Sequence, residues 1–242
     1  MMHILLSLLP SALVISRCGA PRMSSPSTFA EWVDAAPALC DALSAGEEGV
    51  AERLGSAFAT SNGRRGFFAT YLSAPDNSVA DAAEPPPALL EAIADAPAGP
   101  IASICVMNVA MSAATECGHL RNGDADAAAG SALTNKRAVS LVRALVQGQE
   151  SGPHVGRPSF GAVEQSLMEL KQAVDMRLKK DDMFSDDYMN SWTSILEMWK
   201  YDEEQEQAVA AAIERCRGAE EGEDSAGMAR GDFVGLSAQR GT

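Results

Sequence analysis

Apolar residues recur along this chain at intervals of three and four, broken by short runs of Gly, Pro, Asn and Asp, and no stretch keeps the two-residue rhythm of a strand. Thr28 is placed to cap a short helix carrying Phe29, Trp32 and Val33. Pro37 suits the first turn of a second helix through Leu39, Cys40 and Leu43, which Gly46 ends. Val50, Leu54, Ala57 and Phe58 continue the spacing. After the break signal Asn62-Gly63 comes a cluster of Phe67, Phe68, Tyr71 and Leu72, aromatic enough to pass for a strand in isolation. Arg64, Phe68, Tyr71 and Leu72 fit a helical face better than an alternating one.

Residues 73–87 form a linker ending in three prolines, the last of which starts a helix with Leu89, Leu90 and Ile93. Residues 101–120 are the most apolar segment and carry no charge before Glu116. They predict the central, nearly buried helix of a bundle, stopped by acid short of the ~20 residues that a membrane span requires. The run from His119 to Gly123 closes that helix, and Asp124 caps the next, whose stripe is Ala138, Val139, Leu141, Val142, Leu145 and Val146. Three glycines and two prolines between 148 and 159 mark the clearest boundary in the chain. Beyond it Val163, Leu167, Leu170, Val174 and Leu178 make another stripe. A further helix is predicted to begin at Ser185, Asp186 and Asp187 and to carry Tyr188, Trp192, Ile195, Leu196 and Trp199 on one wide face. Asp202 and Gln205 then have the spacing of a capping box ahead of Val209, Ile213 and Cys216. The pattern predicts an all-α protein: an irregular multi-helix bundle of roughly seven to nine helices with disordered termini. The bundle occupies 29–217, with a candidate sub-boundary at 148–159, and an acidic, Gly-rich tail predicted to be disordered fills 218–242.

The amino terminus follows another logic. No Asp or Glu occurs before Glu31, and a short apolar run over residues 4–15, broken at Pro10, has the length of a signal-peptide core. Ser16, Arg17, Arg22, Ser24, Ser25, Ser27 and Thr28 follow it with the Ser/Arg-rich, acid-poor character of a transit peptide. Residues 1–28 thus resemble the bipartite presequence of proteins sent to plastids of secondary endosymbiotic origin. The alternative is an ordinary secretory signal and a secreted helical protein.

Composition narrows the chemistry. The chain has 242 residues and a net charge of −14, with 33 acidic against 19 basic side chains, which excludes a general nucleic-acid binder. Loss of the presequence removes arginines and no acids, so the remaining protein is more acidic still. Five scattered cysteines exclude a disulfide scaffold. Cys117 and His119, two apart on a helix, diverge by about 200° and cannot close on one metal. No GxSxG, Walker loop or EF-hand spacing occurs. No catalytic residue, metal or cofactor is expected, and the cysteines read as buried free thiols.

Two groups stand above this background. Arg64, Arg65, Phe67, Phe68 and Tyr71 place paired cations beside a compact aromatic cluster: either a core helix whose arginines reach solvent at its start, or a docking patch for a protein partner. Asn108, between Met107 and Met111, needs hydrogen-bond partners. It is expected to reach across the bundle and set its register, or, with Cys105, Met111 and His119, to line a pocket. Lys136, Arg137 and Arg143 either bind an anion or pair with the abundant carboxylates, internal pairing being the simpler expectation.

Arg65-Gly66-Phe67-Phe68 with Tyr71-Leu72, then Met107-Asn108 with Met111, then Asn135-Lys136-Arg137 and a closing Tyr201-Asp202-Glu203-Glu204-Gln205, resemble a poorly characterised group of cyanobacterial and plastid helical proteins, some labelled thylakoid-associated. The resemblance spans about residues 50–215. It implies a plastid setting near photosynthetic membranes and transfers no catalytic residue. The functional expectation is a non-catalytic accessory or protein-interaction factor of the plastid, peripheral to thylakoids and without a transmembrane segment once processed. The alternative from another class is a small-molecule-binding protein or enzyme with a pocket in the helical bundle.

Overall fold

The structure, a computed structural model, describes residues 26–179 and 191–218. The presequence up to residue 25, the helix start expected at 185–188 and the tail from 219 lie outside the described residues. Within them the chain is all-α: α1 (Phe29–Ala45), α2 (Val50–Phe58), α3 (Ser61–Ser73), a 3-10 turn (Ser78–Asp81), α4 (Pro87–Asp95), α5 (Ala98–Arg121), α6 (Ala125–Glu150), α7 (Pro158–Lys179), α8 (Ser191–Trp199) and α9 (Glu203–Cys216).

The two helices expected on either side of Pro37 are one, and the reason lies in α3. Thr28 and Glu31 form a full capping box at the start of α1, and Gly46, left-handed at φ 63°, ends it. Pro37 has no N–H to give to the Val33 carbonyl one turn back. Thr70 Oγ1 donates to that carbonyl from α3 at 3.5 Å, so the acceptor keeps a partner and the helix runs on. This contact needs the two backbones close together. At Gly66 a methyl group would lie 2.5 Å from Trp32 Cβ and 3.0 Å from Val33 N. Gly66→Ala should therefore wedge α1 from α3 and cost about 1–3 kcal/mol, read as a lower urea midpoint at constant m-value. An unchanged midpoint would show that the two helices separate freely.

Asn62-Gly63 is likewise no break. Thr60 caps α3 by accepting from Gly63 N, and a Cβ at Gly63 would stand 2.1 Å from the Ala57 carbonyl, so the glycine permits the sharp α2–α3 corner. Phe58, Phe67, Phe68 and Tyr71 fill that corner. Phe58 stacks on Phe68 at 5.5 Å, Phe67 meets both edge-on, and Phe67 stacks on Tyr71 at 5.4 Å.

The 73–86 linker is pinned by one cation. Arg137 of α6 is 2% exposed and uses all of its N–H donors. Nε and Nη2 grip the two oxygens of Asp81 at 2.9 and 2.7 Å, Nη1 donates to the Leu72 and Ala74 carbonyls, and Nη2 also donates to Asn77 O. The internal pairing expected for this cation is what the structure contains. Asn77 adds a bond from Nδ2 to Tyr71 O at 2.8 Å, so the linker follows one path into α4, which Pro87 opens.

α5 is the axis of the bundle and packs against α3, α6, α7 and α9. Contrary to the sequence expectation, it has the length and composition to cross a membrane, with a mean hydropathy of 1.4 over its best window, but half of that window is buried inside the protein. The bundle itself takes up this apolar surface. The 148–159 segment is a connection and not a gap: core residues on both sides belong to one continuous cluster. Ser159, at the start of α7, donates to the Ala94 and Ala96 carbonyls at the end of α4. α9 is held by its own cap. Asp202 and Gln205 form the expected capping box, and Gln205 also donates to Ala114 O on α5. Arg121 pairs with Asp202, and Arg177 of α7 pairs with the buried Glu206.

Candidate functional site

The aromatic docking patch is not on the surface. Phe67, Phe68 and Tyr71 are buried at 0%, 1% and 2% exposure, because the sharp α2–α3 corner folds them inward. Arg64 turns back to the Phe58 carbonyl. Arg65 alone of the group is exposed, and its guanidinium lies 5.2 Å above the ring of Phe29 at the start of α1.

That pair forms one wall of a groove of about 550 Å³ between α1, α3, α5 and α8. Ile104, Met107 and Met111 of α5 make the floor, and Ile195, Met198 and Trp199 of α8 the far wall. Phe29, Met111 and Met198 are 40%, 43% and 69% exposed, so three of the largest apolar side chains left in water meet in one place. Methionines are unbranched and polarisable and mould to varied surfaces. This groove is the exposed apolar surface that the structure offers in place of the buried aromatics. The sequence signal for it lay in α8. Met198 sits about 120° around the helix from the buried Trp192, so the apolar side of α8 is wider than one core stripe requires.

The second predicted group comes together only in part. Asn108 and Met111 share the groove. Cys105 is buried in the core, and His119 stands eleven residues along α5 from Asn108, about 16 Å away at 1.5 Å per residue. Asn108 does not cross the bundle, since its Nδ2 donates to Ile104 O in its own helix at 2.8 Å. The crossing amide is Asn135 of α6. It donates to Val109 O and Ser112 Oγ on α5, both at 3.0 Å, and accepts from Arg215 Nη2 of α9 at 2.6 Å. Ser112 Oγ donates on to Asn108 O, so a polar seam links three helices.

The thiols of the described residues are held in their neutral form. Burial pushes Cys40 to about 11 and Cys105 and Cys216 to about 12, and Cys117 is raised as well, chiefly by burial. Among the described residues no three His, Cys, Asp or Glu side chains gather as a metal site.

These features define an all-α protein with a Met- and aromatic-lined surface groove and structural thiols. By its matching residues, 28–153, the chain belongs to the family described as uncharacterised conserved protein UCP020893. The match covers α1 to α6, and with them the Arg137 clamp, the Phe29–Arg65 wall and the α5 floor of the groove. No curated protein and no solved structure matches the chain.

Proposed function

We propose that this protein is a non-catalytic accessory factor of the plastid that acts by seating the apolar face of a partner's amphipathic helix in the α1/α3/α5/α8 groove, at the periphery of the thylakoid membrane. The carrying observation is the groove itself: Phe29, Met111 and Met198 exposed together, with Arg65 at the rim. Helix-in-groove recognition uses apolar anchors spaced three and four apart against such a surface. Among the described residues the thiols are neutral and all but Cys117 are buried. The plastid setting draws on the acid-free presequence, and the thylakoid setting on the motif resemblance.

The interaction is tested with a photo-crosslinking residue at position 198, compared between the otherwise unchanged protein and Met111→Glu. Position 198 should link one defined partner through an apolar helix, and Met111→Glu should lose that link while its melting temperature stays within about 2 °C, since exposed substitutions cost little. Crosslinks that scatter over unrelated proteins, or survive Met111→Glu, would remove the groove from consideration. The destination is tested by fusing residues 1–40 to a fluorescent protein in an alga with a secondary plastid. Fluorescence in the plastid is expected, and fluorescence in the medium would make the protein secreted.

A further inference from the structure

A second concavity, of about 670 Å³, lies on another side of the bundle between α5, α6 and α9. Its lining inverts the sign of the molecule. In a chain with 33 acids and 19 bases, Lys136, Arg143 and Arg215 meet here against the single carboxylate of Glu116. The arginines are fixed by the fold: Arg143 grips the Arg215 carbonyl through Nε and Nη2 at 3.0 and 2.7 Å, and Arg215 is held by Asn135. Lys136 is exposed, and among the described residues its ammonium makes no hydrogen bond or ion pair, acting on the Asp81 carboxylate only at longer range. Apart from Asn135 and Ser140 the remaining lining is apolar, with alanines on all three helices leaving the space. Leu120 stands at the edge of the cleft 62% exposed. Burial pushes the Glu116 carboxyl upward against the opposing pull of Arg215, which eases its protonation when a second anion enters.

We infer that this cleft binds a free, small amphiphilic anion, a carboxylate or phosphate monoester with a short apolar chain. The head pairs with Lys136 beside the preset Arg143, and the chain lies along the alanines and Leu120. The volume is that of a small-molecule site. The same chemistry presented by a membrane lipid is told apart from a free ligand by vesicle sedimentation. The site is separate from the groove, and each stands without the other.

The probes are octanoate and octyl phosphate, with octylammonium as the control of opposite charge, titrated into the full chain by calorimetry and amide NMR. The two anions should bind and shift the Ala132, Ala208 and Ala211 amides, and octylammonium should not. Lys136→Gln should weaken octanoate about tenfold, the equivalent of one charge-assisted hydrogen bond. Ala211→Trp, at an exposed lining position, should abolish binding without lowering the melting temperature. Equal binding of octylammonium, full affinity in Ala211→Trp, or no anion binding at millimolar concentration would each overturn the site. Lys136-dependent sedimentation with phosphatidylglycerol vesicles would overturn the assignment to a free ligand.

Discussion

Replacement of Arg137 by Met is expected to lower the unfolding free energy by about 3–5 kcal/mol, a large share of a domain's usual stability. Met reproduces the aliphatic stem of Arg and ends where Nε stands, so the change removes the guanidinium together with its hydrogen bonds and ion pair. Without the guanidinium, the buried Leu72 carbonyl loses its donor at a cost of roughly 1–3 kcal/mol, while the Ala74 and Asn77 carbonyls lose one of two donors and keep the backbone N–H groups of Asn77 and Ala80. The linker then keeps only the Asn77–Tyr71 bond and its own turns to fix its path between α3 and α4. A pH signature separates this mechanism from generic core damage. The Asp81 carboxyl is held below its ordinary value, chiefly by the hydrogen bonds from Arg137. A carboxyl depressed in the folded state contributes stability above its unfolded pKa, near 3.9, and that contribution disappears as pH falls through the folded value. Wild type should therefore lose stability on acidification below about pH 4, and Arg137→Met should show less of that loss because it has no pair left to break. Urea midpoints at pH 7 and pH 3 for both proteins decide the matter. A cost under about 1 kcal/mol at pH 7, or equal acid sensitivity, would mean that water replaces the clamp at little expense.

The helical periodicity carried most of the fold, because packing at three- and four-residue spacing is a local property that one chain displays. Its errors fell where a long-range contact overrode a local signal. Pro37 reads as a helix start until Thr70, thirty-seven residues beyond Val33, supplies the missing donor. Asn62-Gly63 reads as a turn until the Ala57 carbonyl, at 2.1 Å from an added Cβ, explains the glycine inside a helix. The register amide was sought at Asn108, where polarity interrupts an apolar run, and sits at Asn135, whose own helix is polar enough to hide it. The Asp202–Gln205 cap was legible because both partners lie within one turn. The groove was not. It is assembled from four helices, and only the excess apolar width of α8 hinted at it.

Phe68→Ala is expected to cost about 3–5 kcal/mol, and with it to reverse the functional meaning of the aromatic cluster. The ring is 1% exposed, stacked on Phe58 with an interplanar angle of 5° and edge-on to Phe67 at 5.3 Å. Its removal leaves a cavity walled by the Phe58 and Phe67 rings, which are themselves fully buried and have little room to move, so the cost should lie toward the top of that range. Any loss of partner capture in this variant would then scale with loss of folded protein and recover when the fraction folded is restored at lower temperature. A double substitution of Met111 and Met198 by Glu should do the opposite. Both positions are exposed, so the melting temperature should hardly move, while an apolar anchor surface acquires two charges that a partner helix would have to desolvate. The two variants therefore cross: one loses the fold and keeps the intrinsic affinity of what remains folded, the other keeps the fold and loses the affinity. If Phe68→Ala instead melted like wild type and lost its partner, the aromatic cluster would be a surface after all and the α2–α3 corner would have to be open. The stacked geometry at Phe58 makes that outcome incompatible with the fold described above.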